Sequence, residues 1–198
     1  MASKGSNLGA KTMKALIVYG TRYGATQGIA ERMFEWLQKE NIDSDVINVK
    51  KDEWPELAKY SGLILGTGIR IGQWTKEMKN FIKKKKEEIN MFRGPKIFFV
   101  CSGYAAIPER YQEIKQEYCK KALENLGVSV DSINYEAFGG VMNASPDSPV
   151  GWLDKKMLKI AGKASPDFDP NGINDYRDWN EIEKFTRESF IQALQQKD

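Results

Sequence analysis

The sequence predicts an α/β protein built on a doubly wound, five-stranded parallel sheet with helices on both faces. Three observations carry that prediction. From Lys14 to Gln195, short apolar runs of strand length alternate with longer segments of helical period. The strand-like runs are apolar throughout, as expected of strands covered on both faces. A hydroxyl-rich turn, Thr21-Arg22-Tyr23-Gly24-Ala25-Thr26, joins the first run to the first helix. Turns of that position lie at the carboxyl edge of a parallel sheet, where such folds bind ligands.

The elements follow in order. Lys14–Tyr19 reads as the first strand, and Gln27–Lys39 as a helix with Ile29, Met33, Trp36 and Leu37 at helical spacing. Ser44–Val49 is a shorter second strand, and Trp54-Pro55-Glu56-Leu57 a short helix start with proline just inside. Gly62–Gly66 is the third strand. Trp74–Ile89 is the next helix, turning Met78, Phe81, Ile82 and Ile89 inward. Lys96–Cys101 is the fourth strand, and Glu109–Leu126 a helix stopped by Gly127. Ser129–Phe138 is the fifth strand, and Asp178–Gln195 the last helix, with Ile182, Phe185, Phe190 and Leu194 inward. Strand and helix in alternation imply right-handed crossovers and a parallel sheet.

Composition sets the outer limits. A chain of 198 residues, 41% of them hydrophobic, fits one domain over 13–198. Residues 1–12 are polar and read as a disordered arm or leader, with Met13 a natural start. A helical and loop segment at about 143–175 reads as an insertion before the last helix. Within it, Val150–Ala161 has an apolar face and lysines at 155, 156 and 159. The favoured reading is a helix packed across the sheet edge; the other is a basic amphipathic helix on an anionic membrane. Two isolated cysteines, Cys101 and Cys119, fit a reducing, cytoplasmic setting. The chain has no histidine, which removes hydrolytic Ser-His and Cys-His sites and the commonest metal ligand, so no metal site is expected. Chemistry then belongs to a cofactor. The run Lys83-Lys84-Lys85-Lys86 reads first as a solvated helix face.

The turn after the first strand is a phosphate cradle. A helix N-terminus offers unpaired amides and a partial positive charge. Thr21 and Thr26 add hydroxyls, and Gly24 allows close backbone approach. Spacing then narrows the choice. Glycines at 20, 24 and 28 do not match the dinucleotide fingerprint, and no Gly-Lys-Ser or Gly-Lys-Thr occurs for a triphosphate loop. The first and third strands end in Tyr19-Gly20 and Gly66-Thr67 rather than in the acidic residues of a phospho-acceptor domain. The surviving pattern, T-x-x-G-x-T, resembles the loop with which flavodoxins hold the monophosphate of FMN. That resemblance implies strand order 2-1-3-4-5 and FMN as cofactor.

Two further edge loops complete the expected site. Thr67-Gly68-Ile69-Arg70-Ile71-Gly72-Gln73-Trp74 follows the third strand, and Ser102-Gly103-Tyr104-Ala105 the fourth. A flat isoalloxazine ring needs close backbone approach and stacking faces. Small residues supply the approach, and Trp74 and Tyr104 are the candidate faces. Trp74 has an equal claim to inward packing. The candidate cofactor-binding set is therefore Thr21, Arg22, Tyr23, Gly24, Ala25, Thr26, Thr67, Gly68, Ile69, Arg70, Gly72, Trp74, Ser102, Gly103 and Tyr104. Arg70 is also the candidate substrate contact. Cys101 ends a buried strand and reads as an inert core thiol.

Gly66-Thr67-Gly68-Ile69-Arg70-Ile71-Gly72 is similar to a segment of the menaquinone-dependent protoporphyrinogen dehydrogenases, a branch of the flavodoxin-like superfamily. The arginine inside the phosphate loop, Arg22, resembles that branch too. So does the order of the late segment, from Gly139-Gly140 through Gly151–Ile160 to Asp175-Tyr176-Arg177-Asp178-Trp179. The resemblance implies a porphyrinogen substrate, whose carboxylates Arg22, Arg70 and nearby lysines would bind, and a quinone acceptor at the inner membrane surface. Other readings stand beside it: an electron carrier that docks on a redox partner protein, and an NAD(P)H:quinone reductase. The net charge of +3 is unlike acidic carriers. No nucleic-acid partner is expected.

Overall fold

A computed structural model describes residues 13–148, 151 and 167–196. Five parallel strands form the sheet: β1 (Lys14–Gly20), β2 (Asp43–Asn48), β3 (Gly62–Arg70), β5 (Lys96–Cys101) and β6 (Asn134–Phe138). Their order is β2-β1-β3-β5-β6, with β1 central between β2 and β3. In parallel-strand count this is the order 2-1-3-4-5. The extra number comes from β4 (Gln73–Trp74), a two-residue strand antiparallel to the end of β3.

Alternation along each strand divides the core. Leu16, Val18, Leu63, Leu65, Phe98 and Val100 face one way, against α2 (Lys76–Met91) and α3 (Pro108–Lys115). Ala15, Ile17, Tyr19, Ile64, Ile97 and Phe99 face the other, against α1 (Ala25–Lys39) and α4 (Trp179–Thr186). Phe98 and Phe99 are both fully buried, on opposite sides of the sheet. Burying each stabilises the fold by about 1.5–3 kcal/mol. α3 runs on through a π-helical turn, Gln116–Lys121, and α4 through another, Arg187–Ile191.

Polar side chains close the ends. Lys96 is buried, and its ammonium donates to the carbonyls of Ile89 and Phe92, each at 3.1 Å. It supplies the cation that the last turn of α2 itself lacks. At the edge strand β6, Glu136 accepts from the Tyr111 hydroxyl, from Lys115 at 2.9 Å and from the amide of Ala137 at 2.9 Å. The carboxylate takes up an edge amide that would otherwise invite another strand.

Several boundaries differ from the sequence expectation. The third strand continues four residues past Gly66, because β4 folds back on it as a hairpin. Trp74 belongs to that hairpin, and α2 starts at Lys76 under a Thr75 cap whose hydroxyl accepts from the amide of Met78 at 3.4 Å. The short helix near Trp54 is instead a 3-10 turn at Leu57–Lys59. The fifth strand is only Asn134–Phe138; Val130 ahead of it accepts a turn hydrogen bond from the amide of Ile133 at 3.1 Å. After β6 the chain forms an unforeseen second sheet, β7 (Val141–Asn143) against β8 (Ile173–Asp175). Asn174 ties it by donating to the carbonyls of Met142 at 3.2 Å and Asp169 at 2.9 Å. The expected arm at 1–12 and the expected helix at Val150–Ala161 lie outside the described residues. No helix among the described residues is long and apolar enough to cross a membrane.

Candidate functional site

The turn between β1 and α1 is braced from within. The hydroxyl of Thr21 accepts from the amide of Gly24 at 3.0 Å, closing the loop. Gly24 is the N-cap at φ 90°, a left-handed conformation that glycine adopts without a Cβ penalty. It has no side chain to cap the helix, and no acidic residue stands in the first turn. The first-turn amides therefore meet no capping carboxylate, and the positive end of α1 faces the carboxyl edge of the sheet. Thr26, 1% exposed, turns its hydroxyl toward β3, where a Cβ on Gly68 would stand 3.1 Å from it.

The hairpin β3–β4 forms the next wall. Arg70 pairs with Gln73 and Ile69 with Trp74 across a two-residue turn. Its central residues, Ile71 and Gly72, have φ 48° and 66°, the signature of a type I′ turn. Ile71 is a β-branched residue in left-handed conformation, and its side chain is 59% exposed at the tip. The Trp74 ring packs on Phe98 at 4.9 Å, and its indole N–H donates to the carbonyl of Tyr118 at 2.8 Å. Thr67 is buried, its hydroxyl 3.3 Å from that of Thr75.

The third wall is made by close backbones. The amide of Ser102 donates to the carbonyl of Phe138 at 2.9 Å. A Cβ on Gly140 would lie 3.1 Å from the amide nitrogen of Gly103, so the two loops touch through main chain. Cys101 forms the floor; its thiol donates to the carbonyl of Gly139 at 3.5 Å, and burial pushes its pKa up to about 12.

These walls enclose a cavity of about 670 Å³, within the usual range for small-molecule sites. Thr21, Arg22, Tyr23, Ala25, Thr26, Gly68, Ile69, Arg70, Trp74 and Gly103 line it together. Gly24, Thr67, Gly72, Ser102 and Tyr104 stand behind that lining. Tyr104 packs on the core with the Arg110 guanidinium 4.4 Å above its ring, and Gly72 lies at the hairpin turn against Tyr118. The sequence reading missed Lys50, Gln73, Thr75, Lys76, Glu77, Gly140 and Val141, which also line the cavity. Lys50 follows β2 and Lys76 opens α2, so the carboxyl-edge rule that pointed to the other loops covers them as well.

The family model for the flavodoxin domain matches residues 16–165. The chain belongs to the flavodoxin family. It is 28% identical over 184 residues to the protoporphyrinogen IX dehydrogenase [quinone] of Escherichia coli K12, covering 89% of this chain and 94% of that protein. The enzyme of the same name from Leishmania major is 22% identical over 180 residues, covering 90% of this chain and 75% of that protein. Among solved structures, the flavodoxin of Streptococcus pneumoniae TIGR4 aligns over 93% of this chain and 99% of its own, with TM-score 0.51 and 17% identity. The cofactor of this flavodoxin-family oxidoreductase is FMN.

The residues present fit FMN. A phosphate needs donors and no competing carboxylate, which the open first turn of α1 offers. A ring needs a slot of small residues, and Gly68, Gly103 and Gly140 are among those that line the cavity.

Proposed function

We propose that the protein is an FMN-dependent dehydrogenase that oxidises a porphyrinogen and hands the electrons to a quinone. The observation that carries this reading is the charge around the cavity. Arg22, Lys50, Arg70 and Lys76 line it against one carboxylate, Glu77, among the described residues. One phosphate cradle at α1 does not need four cations. An anionic substrate does, and the named relatives act on one that carries carboxylates.

FMN, when bound, would supply the redox chemistry, taking up reducing equivalents from the substrate for delivery to the quinone. The chain's own residues bind and orient. Thr21 holds the loop closed, Gly24 keeps the first-turn amides open, and Ala25 and Thr26 present them to the phosphate. Gly68, Ile69, Trp74 and Gly103 wall the ring. Cys101 stays a neutral thiol and adds no charge to the cavity floor. Arg70, on the hairpin leg facing the cavity, binds the substrate carboxylate by charge-assisted hydrogen bonds.

The test is anaerobic. FMN-loaded protein receives protoporphyrinogen IX or NAD(P)H, and flavin absorbance is followed. Bleaching by the porphyrinogen alone supports the dehydrogenase. Bleaching by NAD(P)H points to a quinone reductase, and bleaching by neither to an electron carrier; either result overturns the proposal.

A further inference from the structure

We infer that Lys50 and Lys76 form a second anion subsite at the cavity mouth, which beside Arg70 reads the carboxylates of a flat, largely apolar substrate. The inference rests on the porphyrinogen reading and assigns a separate role to two of the four cations that carry it. The first anion site is main chain: open amides at α1, closed by Thr21. The second is side chain. Lys50 and Lys76 come from different elements, the turn after β2 and the first residue of α2, yet line one cavity with the phosphate loop. Both are exposed, and neither has a carboxylate partner among the described residues.

Lys76 is also in the wrong place for its helix. The first turn of α2 favours negative charge, which Glu77 provides and Lys76 opposes. Local chemistry that works against its own element has a reason where the position serves a site. Recognition of an anion at the mouth is such a reason.

The loops around the mouth also carry two exposed hydrophobic side chains. Tyr23, 43% exposed, lies in the phosphate loop, and Ile71, 59% exposed, tops the hairpin whose legs line the cavity. Apolar lips with cations at the rim match a ligand with an apolar body and acidic arms. They match a quinone or a nicotinamide less well, since one lacks the acids and the other the apolar body.

The experiment measures equilibrium binding of protoporphyrin IX and its dimethyl ester to FMN-loaded protein by fluorescence at low salt. The Lys50→Gln/Lys76→Gln double variant is compared with Lys83→Gln, which removes a charge from α2 away from the cavity. FMN affinity of every variant is measured as the check on folding. Wild type is expected to prefer the free acid. The double variant should lose that preference, with free-acid affinity falling about 2- to 30-fold and FMN affinity unchanged. Lys83→Gln should bind like wild type. An equal loss in Lys83→Gln overturns the subsite while leaving the porphyrinogen reading intact; equal binding of acid and ester by wild type overturns the subsite together with the charge argument behind that reading. Binding of neither compound overturns that reading and the subsite with it.

Discussion

Replacing Ile71 by asparagine is expected to stabilise the protein. Ile71 sits at φ 48° in the first central position of a type I′ turn. Left-handed backbone costs an ordinary L-residue about 1–2 kcal/mol, and asparagine tolerates it far better. Against that gain stands lost burial. Full burial of an isoleucine stabilises by about 1.5–3 kcal/mol, but this one is 59% exposed, and asparagine keeps part of the remaining contact. The balance is a net gain of about 0.5–1 kcal/mol, or a rise in Tm of about 1–4 °C for a chain of this size. Thermal unfolding of the FMN-loaded and FMN-free protein, followed by circular dichroism, reads it. Ile71→Val keeps the β-branch and should gain nothing. A fall in Tm for Ile71→Asn would refute the strain argument, since it would mean that the exposed tip contributes more by contact than its backbone costs. Porphyrin affinity should move the other way, weakening as one apolar lip is removed. Strain held at a site is expected only where the strained residue has work there.

Three more outcomes follow from the same geometry. Thr21→Ala removes the hydroxyl that braces Gly24; FMN affinity by titration should weaken roughly two- to tenfold, the scale of a lost neutral hydrogen bond, and unchanged affinity would count against the phosphate-loop assignment. Cys101 lines the cavity yet is 4% exposed, with its thiol pKa pushed up to about 12; native protein at neutral pH should resist iodoacetamide at this position until unfolded, and rapid labelling would contradict the buried floor. Hydrogen bonds from Arg177 hold the Asp175 carboxyl below its ordinary range, so the pair contributes stability above the unfolded value of about 3.9 and loses it as pH falls through the lower folded value. Asp175→Asn should therefore be less stable than wild type at neutral pH, with the two converging in acid; parallel curves across that window would count against the pairing.

The sheet and the tight turn between β1 and α1 were legible because they depend on local pattern. Apolar runs such as Lys96–Cys101 fit only a doubly covered strand, and that strand was placed to the residue. The hairpin was not legible. Nothing in Gly66–Trp74 marks a strand reversing at Ile71-Gly72, because a type I′ turn normally announces itself with asparagine or glycine at the first central position, and here isoleucine stands in it. Missing the hairpin moved Trp74 into the helix and hid Thr75 as the cap. The candidate stacking faces fared similarly. Whether Tyr104 faces the cavity depends on Arg110, six residues on, covering its ring, and on packing that no spacing rule encodes. Lys50 went unnoticed because the reading stopped at the loops with glycine and threonine, whereas the same edge argument extends to the end of β2.

The fate of the lysines on α2 bears on the choice between an enzyme and a carrier. In sequence, Lys83-Lys84-Lys85-Lys86 is the obvious basic patch. In the structure much of it is answered locally: Lys85 pairs with Glu88 at 2.8 Å, Lys86 approaches Glu87 at 3.7 Å, and the ammonium of Lys84 lies 5.5 Å from the Trp54 ring centroid. A docking face for an acidic redox protein needs a broad, uncompensated field, and pairing of this kind flattens it. Lys50 and Lys76 have no such carboxylate partner among the described residues, and they stand where a bound molecule would meet them. Among the described residues, Lys50 and Lys76 thus stay without a carboxylate partner at the cavity mouth while most of the helix run is answered. That distribution suits recognition of a small anion beside the cofactor better than steering of a protein toward it, and salt should weaken porphyrin binding more than it weakens FMN binding, for which the proposed donors are main-chain amides.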